Sequence, residues 1–441
     1  MEKLTGLVEK YLLPLAEKLS SNKYLSAVSS GFQTMLPMIM VGAIFTLFQT
    51  LQIGPYQAFI KALHLDVILG FAPAVTTNML AIYGVAFIAY ALIQNSDDKQ
   101  YALVNAGLAI MIFMLMIPQG VTGLAKDGVE VVTVSGAYDT RFLGAPGLFS
   151  AIIIGLLVPT IYQWITKRGW VIKMPDGVPP AVAKSFNSLI PAFIICILFS
   201  LVRYGFSLTS FKNFNLFVYT ILQEPLLSVG TSPIAFIILI FCCSFFWFFG
   251  IHGGQIVNPI ISAVYLPLAV ENLDALQKGV AQSNLPNLIS QPCWLVYSSI
   301  GGGGCTIGLV ICMLLFAKSS RYKQLGRLAA PASLCGINEP ITFGLPIVLN
   351  PVMLIPFIIT PIVTFTTAYL CTVVGIVPPL NGVQIQVGTP ILLSAWMTGG
   401  LKIMILQFVL VLVSTCLYFP FFKTLDNKAL EEEKELEEKN A

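Results

Sequence analysis

The chain has 441 residues, of which 56% are hydrophobic and 10% are charged, and its formal net charge is +3. Soluble proteins average roughly 25% charged residues, so this composition excludes an ordinary soluble protein and indicates a chain embedded in a membrane throughout. The nearly balanced charge argues against a nucleic-acid partner.

Apolar runs along the chain predict the membrane spans. A helix needs about 20 apolar residues to cross the hydrocarbon core of a bilayer. No cleavable signal peptide is expected, because residues 1–23 form a charged segment rather than a short apolar run. We predict ten spans, of which the seventh is short: 28–50, 74–94, 102–118, 145–166, 186–205, 232–251, 255–270, 294–317, 350–376 and 401–422.

Lysine and arginine set the predicted orientation. They are frequent before the first span and after the second, fourth, eighth and tenth, and they are sparse in the alternate connections. The positive-inside rule therefore places both termini in the cytoplasm, and the parity supports ten spans.

Three stretches carry too much glycine and proline for simple spans, namely 253–259, 329–349 and 378–400. Irregular backbone at membrane depth is tolerated where protein buries it or where it lines a wet cavity. We therefore expect re-entrant hairpins around a substrate cavity.

Other segments divide the chain. Residues 126–141 alternate as in a small extracytoplasmic hairpin, and 212–229 are typical of an amphipathic connector lying along a membrane face. This predicts an N-terminal half over 1–211, a C-terminal half over 230–425 and a charged cytoplasmic tail over 426–441. The acidic run at 430–440 is interpreted as a solvated, frayed helix without chemistry.

Two ionisable residues, His252 and Glu339, stand out in the apolar background. Such groups are costly in a membrane and usually mark a functional site. A structural histidine bonded to a carbonyl and a carboxylate capping a helix that starts at Pro340 are the plain alternatives. The glycines after His252, Gly253 first, permit close approach. An imidazole suits a sugar hydroxyl, and Glu339 could accept its proton.

Three further features are open to two interpretations. Trp247 lies one turn before His252 and could pack or bind, whereas Trp396 lies in a glycine-rich stretch and favours stacking on a sugar ring. Gly301–Gly304 lacks the lysine of a phosphate loop, so close helix packing explains it better. The nine cysteines lack metal-type spacing, and we expect neither a metal nor a cofactor.

The motifs carry a family resemblance. It rests on three stretches: 250–253 (GIHG), 338–340 (NEP) continuing through 343–351 (FGLPIVLNP), and 32–37 (FQTMLP). At these residues, and over essentially its whole length, the chain resembles the membrane-spanning enzyme IIC subunit of the bacterial phosphoenolpyruvate-dependent phosphotransferase system, lactose/cellobiose/chitobiose family.

The resemblance implies an all-α polytopic protein of the bacterial plasma membrane that imports a β-linked disaccharide. It implies a homodimer formed by the N-terminal halves, with one sugar chamber in each C-terminal half. A phosphocysteine on a separate cytoplasmic IIB subunit would phosphorylate the C6 hydroxyl, supplied through IIA, HPr and enzyme I. Carried over, Glu339 would contact that hydroxyl and His252 would help place the sugar near the incoming phosphoryl group. We predict these two as the catalytic pair, and we expect Gly253, Asn338, Trp247 and Trp396 to join them in binding sugar.

A proton-coupled sugar symporter is the alternative, since it would also use an intramembrane acid and base. A membrane-embedded glycosidase would want paired carboxylates, whereas the predicted membrane segments contain essentially one. The product separates these classes: sugar 6-phosphate, free sugar or a new glycosidic product.

Overall fold

The computed structural model describes residues 22–50, 54–124, 131–175, 177–248, 252–345, 347 and 350–440. Its elements up to the middle of the chain are α1 (Lys23–Thr50), α2 (Gly54–Ala62), α3 (Leu65–Val75), α4 (Leu80–Gln94), α5 (Ala102–Met116), β1 (Gln119–Leu124), β2 (Val131–Tyr138), α6 (Leu148–Lys167), α7 (Pro180–Ser207), α8 (Phe214–Val218) and α9 (Glu224–Gly230). The remainder are α10 (Pro233–Phe248), α11 (Gly253–Gln277), α12 (Ile307–Phe316), α13 (Ser320–Leu334), α14 (Glu339–Gly344), α15 (Pro351–Val373) and α16 (Leu393–Asn440).

The fold class predicted from the apolar runs is confirmed. Among the described residues, eight helices are long and apolar enough to cross a membrane, and the number reaches ten if each of two bent helix pairs is one span. The strands form one antiparallel hairpin in which Thr122 lies opposite Thr133. A hairpin was predicted over 126–141, but its first strand starts earlier, at Gln119, and residues 125–130 lie outside the described part.

The irregular stretch predicted over 253–259 is wrong. α11 begins at Gly253 and continues through Pro259 and Pro267 for 25 residues, which is long enough for a full span. Proline is tolerated in membrane helices because neighbouring groups can satisfy the carbonyl that it leaves unpaired.

The continuous eighth span predicted over 294–317 is also wrong. A π-helical turn at Trp294–Ser298 and a 3-10 turn at Gly303–Cys305 precede α12, and the two halves bend by 58°. Gly301, Gly302 and Gly304 have φ of 75°, 102° and 77°, which a right-handed helix cannot accommodate.

The other two irregular stretches are present, with narrower bounds than predicted. In the stretch predicted over 329–349, α13 continues to Leu334, so the irregular part starts at Cys335. The short α14 lies within it. Neither helix nor strand forms between 377 and 392, and α16 is broken at Gly400, where φ is 70° and ψ is −160°.

The chain divides into two units. One ends at Ser228, and the other starts at Val229 and includes the end of α1 from Thr46. In the first unit, α4, α5 and α6 pack around buried side chains such as Ile112, Phe113 and Ile154. The predicted connector over 212–229 is helical from Phe214, with a π-helical turn at Tyr219–Gln223, and its last helix ends one residue later, at Gly230.

The C-terminal helix corrects the prediction of a frayed, solvated tail. α16 continues to Asn440, and Asp426 accepts hydrogen bonds from the backbone N–H groups of Lys318 (2.8 Å) and Ser319 (3.0 Å). Glu433 accepts from the Ser319 hydroxyl (2.7 Å) and from the N–H groups of Ser320 (3.1 Å) and Arg321 (3.0 Å). Two carboxylates of α16 therefore cap the N-terminus of α13, whose first N–H groups have no partner within the helix.

The cap has a defined pH dependence. Glu433 lies beyond the predicted tenth span, and the N–H of Arg321, with the Ser319 hydroxyl and the N–H of Ser320, lowers its pKa from 4.5. Because the pKa is lower in the folded chain, the ionised cap stabilises the fold at neutral pH. That contribution is lost as the pH falls through the folded-state pKa.

Replacing Asp426 by alanine should destabilise the second unit. The side chain is 2% exposed, and its loss leaves two backbone N–H groups unpaired, at a cost of about 1–3 kcal/mol each. Thermal unfolding in detergent should show the decrease. Glu435→Ala, at an exposed position of the same helix, is the control. Equal unfolding temperatures for Asp426→Ala and the unmodified protein would contradict this assignment.

Candidate functional site

Trp247, near the end of α10, and His252, directly before α11, are in contact. Their ring centroids lie 4.4 Å apart with an interplanar angle of 46°. The indole is 6% exposed, whereas His252 is exposed. Trp247 therefore supports one side of the imidazole and leaves His252 accessible to a ligand.

Gly253, the first residue of α11, lies against α10. It is buried, and a Cβ there would clash with the backbone carbonyl of Cys243 in α10. A glycine is therefore required here because the backbones of α10 and α11 approach each other closely. Its predicted contact with sugar stays a prediction.

Asn338 is fixed immediately before α14. Its Nδ2 donates to the carbonyl of Gly303 (3.0 Å), and the side chain is 4% exposed. Its own carbonyl accepts from the N–H groups of Ile341 (3.0 Å) and Thr342 (2.9 Å). The asparagine thus connects the start of α14 to the glycine run.

Gly303 is the junction of these groups. A Cβ at this position would lie 3.3 Å from Nε1 of Trp247 and 3.4 Å from Nδ2 of Asn338. Gly303 therefore lies between Asn338 and Trp247, and Trp247 in turn contacts His252. Close packing, the role predicted for the glycine run, is confirmed.

Glu339 begins α14, and Pro340 follows as its second residue. The glutamate is exposed, and its carboxylate makes no hydrogen bond or ion pair to any residue that the structure describes. A carboxylate is favoured near a helix N-terminus, but here it is not used as a side-chain cap. It is therefore available to a ligand beside Asn338.

Trp396 lies in a different segment, in the part of α16 before the break at Gly400. Its side chain is 45% exposed, and neither a ring contact nor a hydrogen bond joins it to the described atoms of the other candidates. Its segment is nevertheless attached to theirs, since the N–H of Gly388 donates to Cys335 (2.9 Å) and that of Ile391 to Leu334 (2.9 Å). Ser394, Cys335 and Gly336 share a cavity of about 20 Å³, which suits water rather than sugar.

Sequence reasoning missed the groups that fix the glycine run. The Tyr418 hydroxyl donates to the carbonyl of Gly304 (2.7 Å), and Ser414 donates to that of Cys305 (2.7 Å). Ser333 donates to Gly301 (3.2 Å). A hydroxyl in an apolar run signals that some partner exists, but the sequence does not identify it.

Sequence reasoning also missed how far the seventh helix extends. Because α11 continues to Gln277, it contains Glu271 and Asp274, which lie beyond the span predicted over 255–270. Glu271 accepts a hydrogen bond from Nδ2 of Asn287 (3.0 Å). That contact gives it a structural partner, in contrast to Glu339.

A family model described as "Phosphotransferase system, EIIC" matches residues 29–361. The chain belongs to this family. It is 35% identical to a solved transporter, ChbC, the IIC component of an N,N'-diacetylchitobiose-specific phosphotransferase system, with a TM-score of 0.91 over 97% of this chain and 99% of that one. EIIC proteins are multi-pass membrane transporters, in agreement with the helices found here.

Two curated relatives extend the comparison. A cellobiose-specific EIIC component of Geobacillus stearothermophilus is 32% identical, covering 98% of this chain and 96% of the relative. A lactose-specific EIICB component of Staphylococcus aureus (strain N315) is also 32% identical, covering 100% of this chain and 75% of the relative.

Gly303→Ala should weaken sugar binding by this EIIC protein. The added methyl forces Trp247 or Asn338 to move by a few tenths of an ångström, which should lower the affinity for sugar several-fold, as about 1 kcal/mol would. Isothermal titration in detergent measures the change. Gly107→Ala is the matched control, because a Cβ there meets nothing within 4 Å. Unchanged affinity in Gly303→Ala would remove Gly303 from the site.

Proposed function

We propose that this EIIC chain imports a β-linked disaccharide of the cellobiose, chitobiose or lactose type and presents its C6 hydroxyl to a phosphorylated IIB subunit. The names of the cellobiose- and lactose-specific relatives and of ChbC support this substrate class. The "EIICB" name and extra length of the lactose relative support a IIB partner.

One observation carries the proposal. Glu339 is an exposed carboxylate with no hydrogen bond or ion pair to the described residues. It directly follows Asn338, which donates to Gly303, and Gly303 also lies beside Trp247. A carboxylate with only a structural role would have a donor in the chain, as Asp426 and Glu433 do. Glu339 is therefore best explained by a ligand.

The candidate residues have different roles in binding the sugar and in transferring the phosphoryl group. His252, Trp247, Asn338, Gly253 and Trp396 would hold the sugar, with His252 placing the hydroxyl. The C6 oxygen attacks the phosphorus of the phosphocysteine, and the S–P bond breaks with its electron pair leaving on the sulfur. Glu339 accepts the hydroxyl proton as the new O–P bond forms, which is the role of a positioned general base.

The domain roles are part of the proposal. Residues 1–211 would form the homodimer contact, 212–229 the connector and 230–425 the sugar-binding half, with both termini in the cytoplasm. The surface of α7 supports lipid or subunit contact in the N-terminal half, since Leu189, Phe193 and Leu201 are exposed on it.

Glu339→Gln should abolish phosphorylation while sugar binding remains detectable. Loss of a positioned base costs about 10²–10⁴-fold in rate, whereas glutamine keeps the size and a hydrogen-bonding oxygen. Reconstituted protein, phospho-IIB and radiolabelled cellobiose give the rate, and titration gives the affinity. Glu435→Gln is the exposed control. Wild-type rates of cellobiose 6-phosphate formation by Glu339→Gln would sink the assignment.

The energy source for uptake distinguishes a phosphotransferase-system permease from a proton-coupled symporter. Uptake into proteoliposomes should require phosphoenolpyruvate with enzyme I, HPr, IIA and IIB, and the product inside should be sugar 6-phosphate. A proton gradient alone should drive no accumulation. Accumulation of unmodified sugar under that gradient, in vesicles lacking the soluble proteins, would establish the symporter instead.

A further inference from the structure

One face of α13 is left uncovered by the residues that the structure describes. The positions of Lys323, Arg327, Pro331 and Leu334 are exposed, at the spacing of three or four that defines one side of a helix. The opposite side is buried. There Gly326 lies so close to α12 that a Cβ would come within 2.7 Å of the Cβ of Met313.

This face is basic. Lys323 and Arg327 are exposed on it, Arg321 lies at its edge, and α13 contains no acidic residue. Neither Lys323 nor Arg327 forms an ion pair within the described chain. The nearby carboxylates of Asp426 and Glu433 are already occupied by backbone donors of residues 318–321. The lysine and arginine charges therefore remain available to a partner.

The same face has an apolar anchor. Leu328, beside Arg327, is 76% exposed. Arginine next to exposed apolar side chains is the composition found at the centre of protein interfaces. We define the α13 face as Lys323, Arg327, Leu328, Pro331 and Leu334.

The α13 face lies close in sequence to the candidate site, because α13 ends five residues before Glu339. From Lys323 to Leu334 the helix rises about 16 Å, and Glu339 follows five residues later. The N–H groups of Gly336 and Ile337 donate to Ser333 (3.0 Å) and Ala332 (3.0 Å), which fixes the end of α13 to the segment carrying Asn338. Beyond Glu339, Phe343 of α14 is 70% exposed, so the apolar surface continues past the carboxylate.

We propose that the α13 face is the docking surface for the phosphorylated IIB subunit, with Lys323 and Arg327 attracting its phosphoryl-bearing loop and Leu328 anchoring the contact. This inference rests on the proposed function. A phosphoryl group carries about −1.5 to −2 charges at neutral pH, which complements the free cations. A basic helix with exposed leucine is also typical of a membrane-surface helix. Docking by protein is favoured because the donor must reach Glu339, and lipid covering this surface would obstruct that approach.

The test is the dependence of phosphorylation rate on IIB concentration. The full chain is reconstituted in nanodiscs of zwitterionic lipid, and formation of cellobiose 6-phosphate is measured against phospho-IIB. Lys323→Gln/Arg327→Gln and, separately, Leu328→Ser should raise the KM for phospho-IIB about tenfold, as loss of interface charge or an anchor does. The kcat at saturating IIB and the affinity for cellobiose should stay unchanged, which also shows that the variants are folded.

Lys99→Gln is the matched control, since Lys99 is exposed and is predicted to face the cytoplasm in another connection. Its KM for phospho-IIB should equal that of the wild type. Equal KM values for the α13 variants and wild type, or an equal rise in Lys99→Gln, would overturn the docking surface. So would a defect that appears only when anionic lipid is added, because the face would then bind headgroups.

Failure of the proposed function is distinguishable. In that case, the wild type makes no cellobiose 6-phosphate at any IIB concentration. Direct binding of IIB to nanodiscs, followed by biolayer interferometry, still tests the surface. Weaker binding to the Lys323→Gln/Arg327→Gln variant than to wild type supports it, and equal binding rejects it.

Discussion

The carbonyl oxygens of one broken turn, Gly301–Cys305, hold the candidate site together. They accept hydrogen bonds from side chains of separate segments: Thr306, Ser333, Asn338, Ser414 and Tyr418. Within a membrane, an unpaired backbone carbonyl costs several kcal/mol, so a broken helix needs such donors. The same bonds fix the position of Asn338. They also hold Gly303 where its missing side chain leaves space for Trp247. The break in the eighth span and the site are therefore one feature.

The overall fold could be predicted because hydrophobic length is a local property. The apolar runs gave the helices, and the glycine and proline clusters gave two of the irregular stretches. The errors at 253–259 and 294–317 have one cause. Proline and glycine show where a helix could break, but packing decides whether it does. Pro259 lies in an unbroken helix, whereas Gly302 stands against Asn338, where a Cβ would come within 2.5 Å of the asparagine Cβ.

The site was predictable where the signal was chemical. His252 and Glu339 stand out because ionisable groups are rare in apolar sequence, and the structure leaves the Glu339 carboxylate unpaired among the described residues. Tyr418 was not predictable as a support, since its acceptor, Gly304, is 114 positions away. The prediction of a solvated acidic tail failed for the same reason, since the partners of Asp426 and Glu433 are also distant in sequence. In the sequence these carboxylates resemble solvated charges, and only the fold shows that they contact the start of α13.

The paired caps on α13 constrain how α16 can vary between relatives. Asp426 and Glu433 are seven residues apart, which is nearly two full turns, so both carboxylates face the same way. An insertion of one residue between them would rotate Glu433 by about 100° away from Ser319. An insertion of seven would keep the direction but move the carboxylate about 10 Å along the axis. Length changes should therefore accumulate beyond Glu433, where no described side chain of α16 makes such a contact with α13.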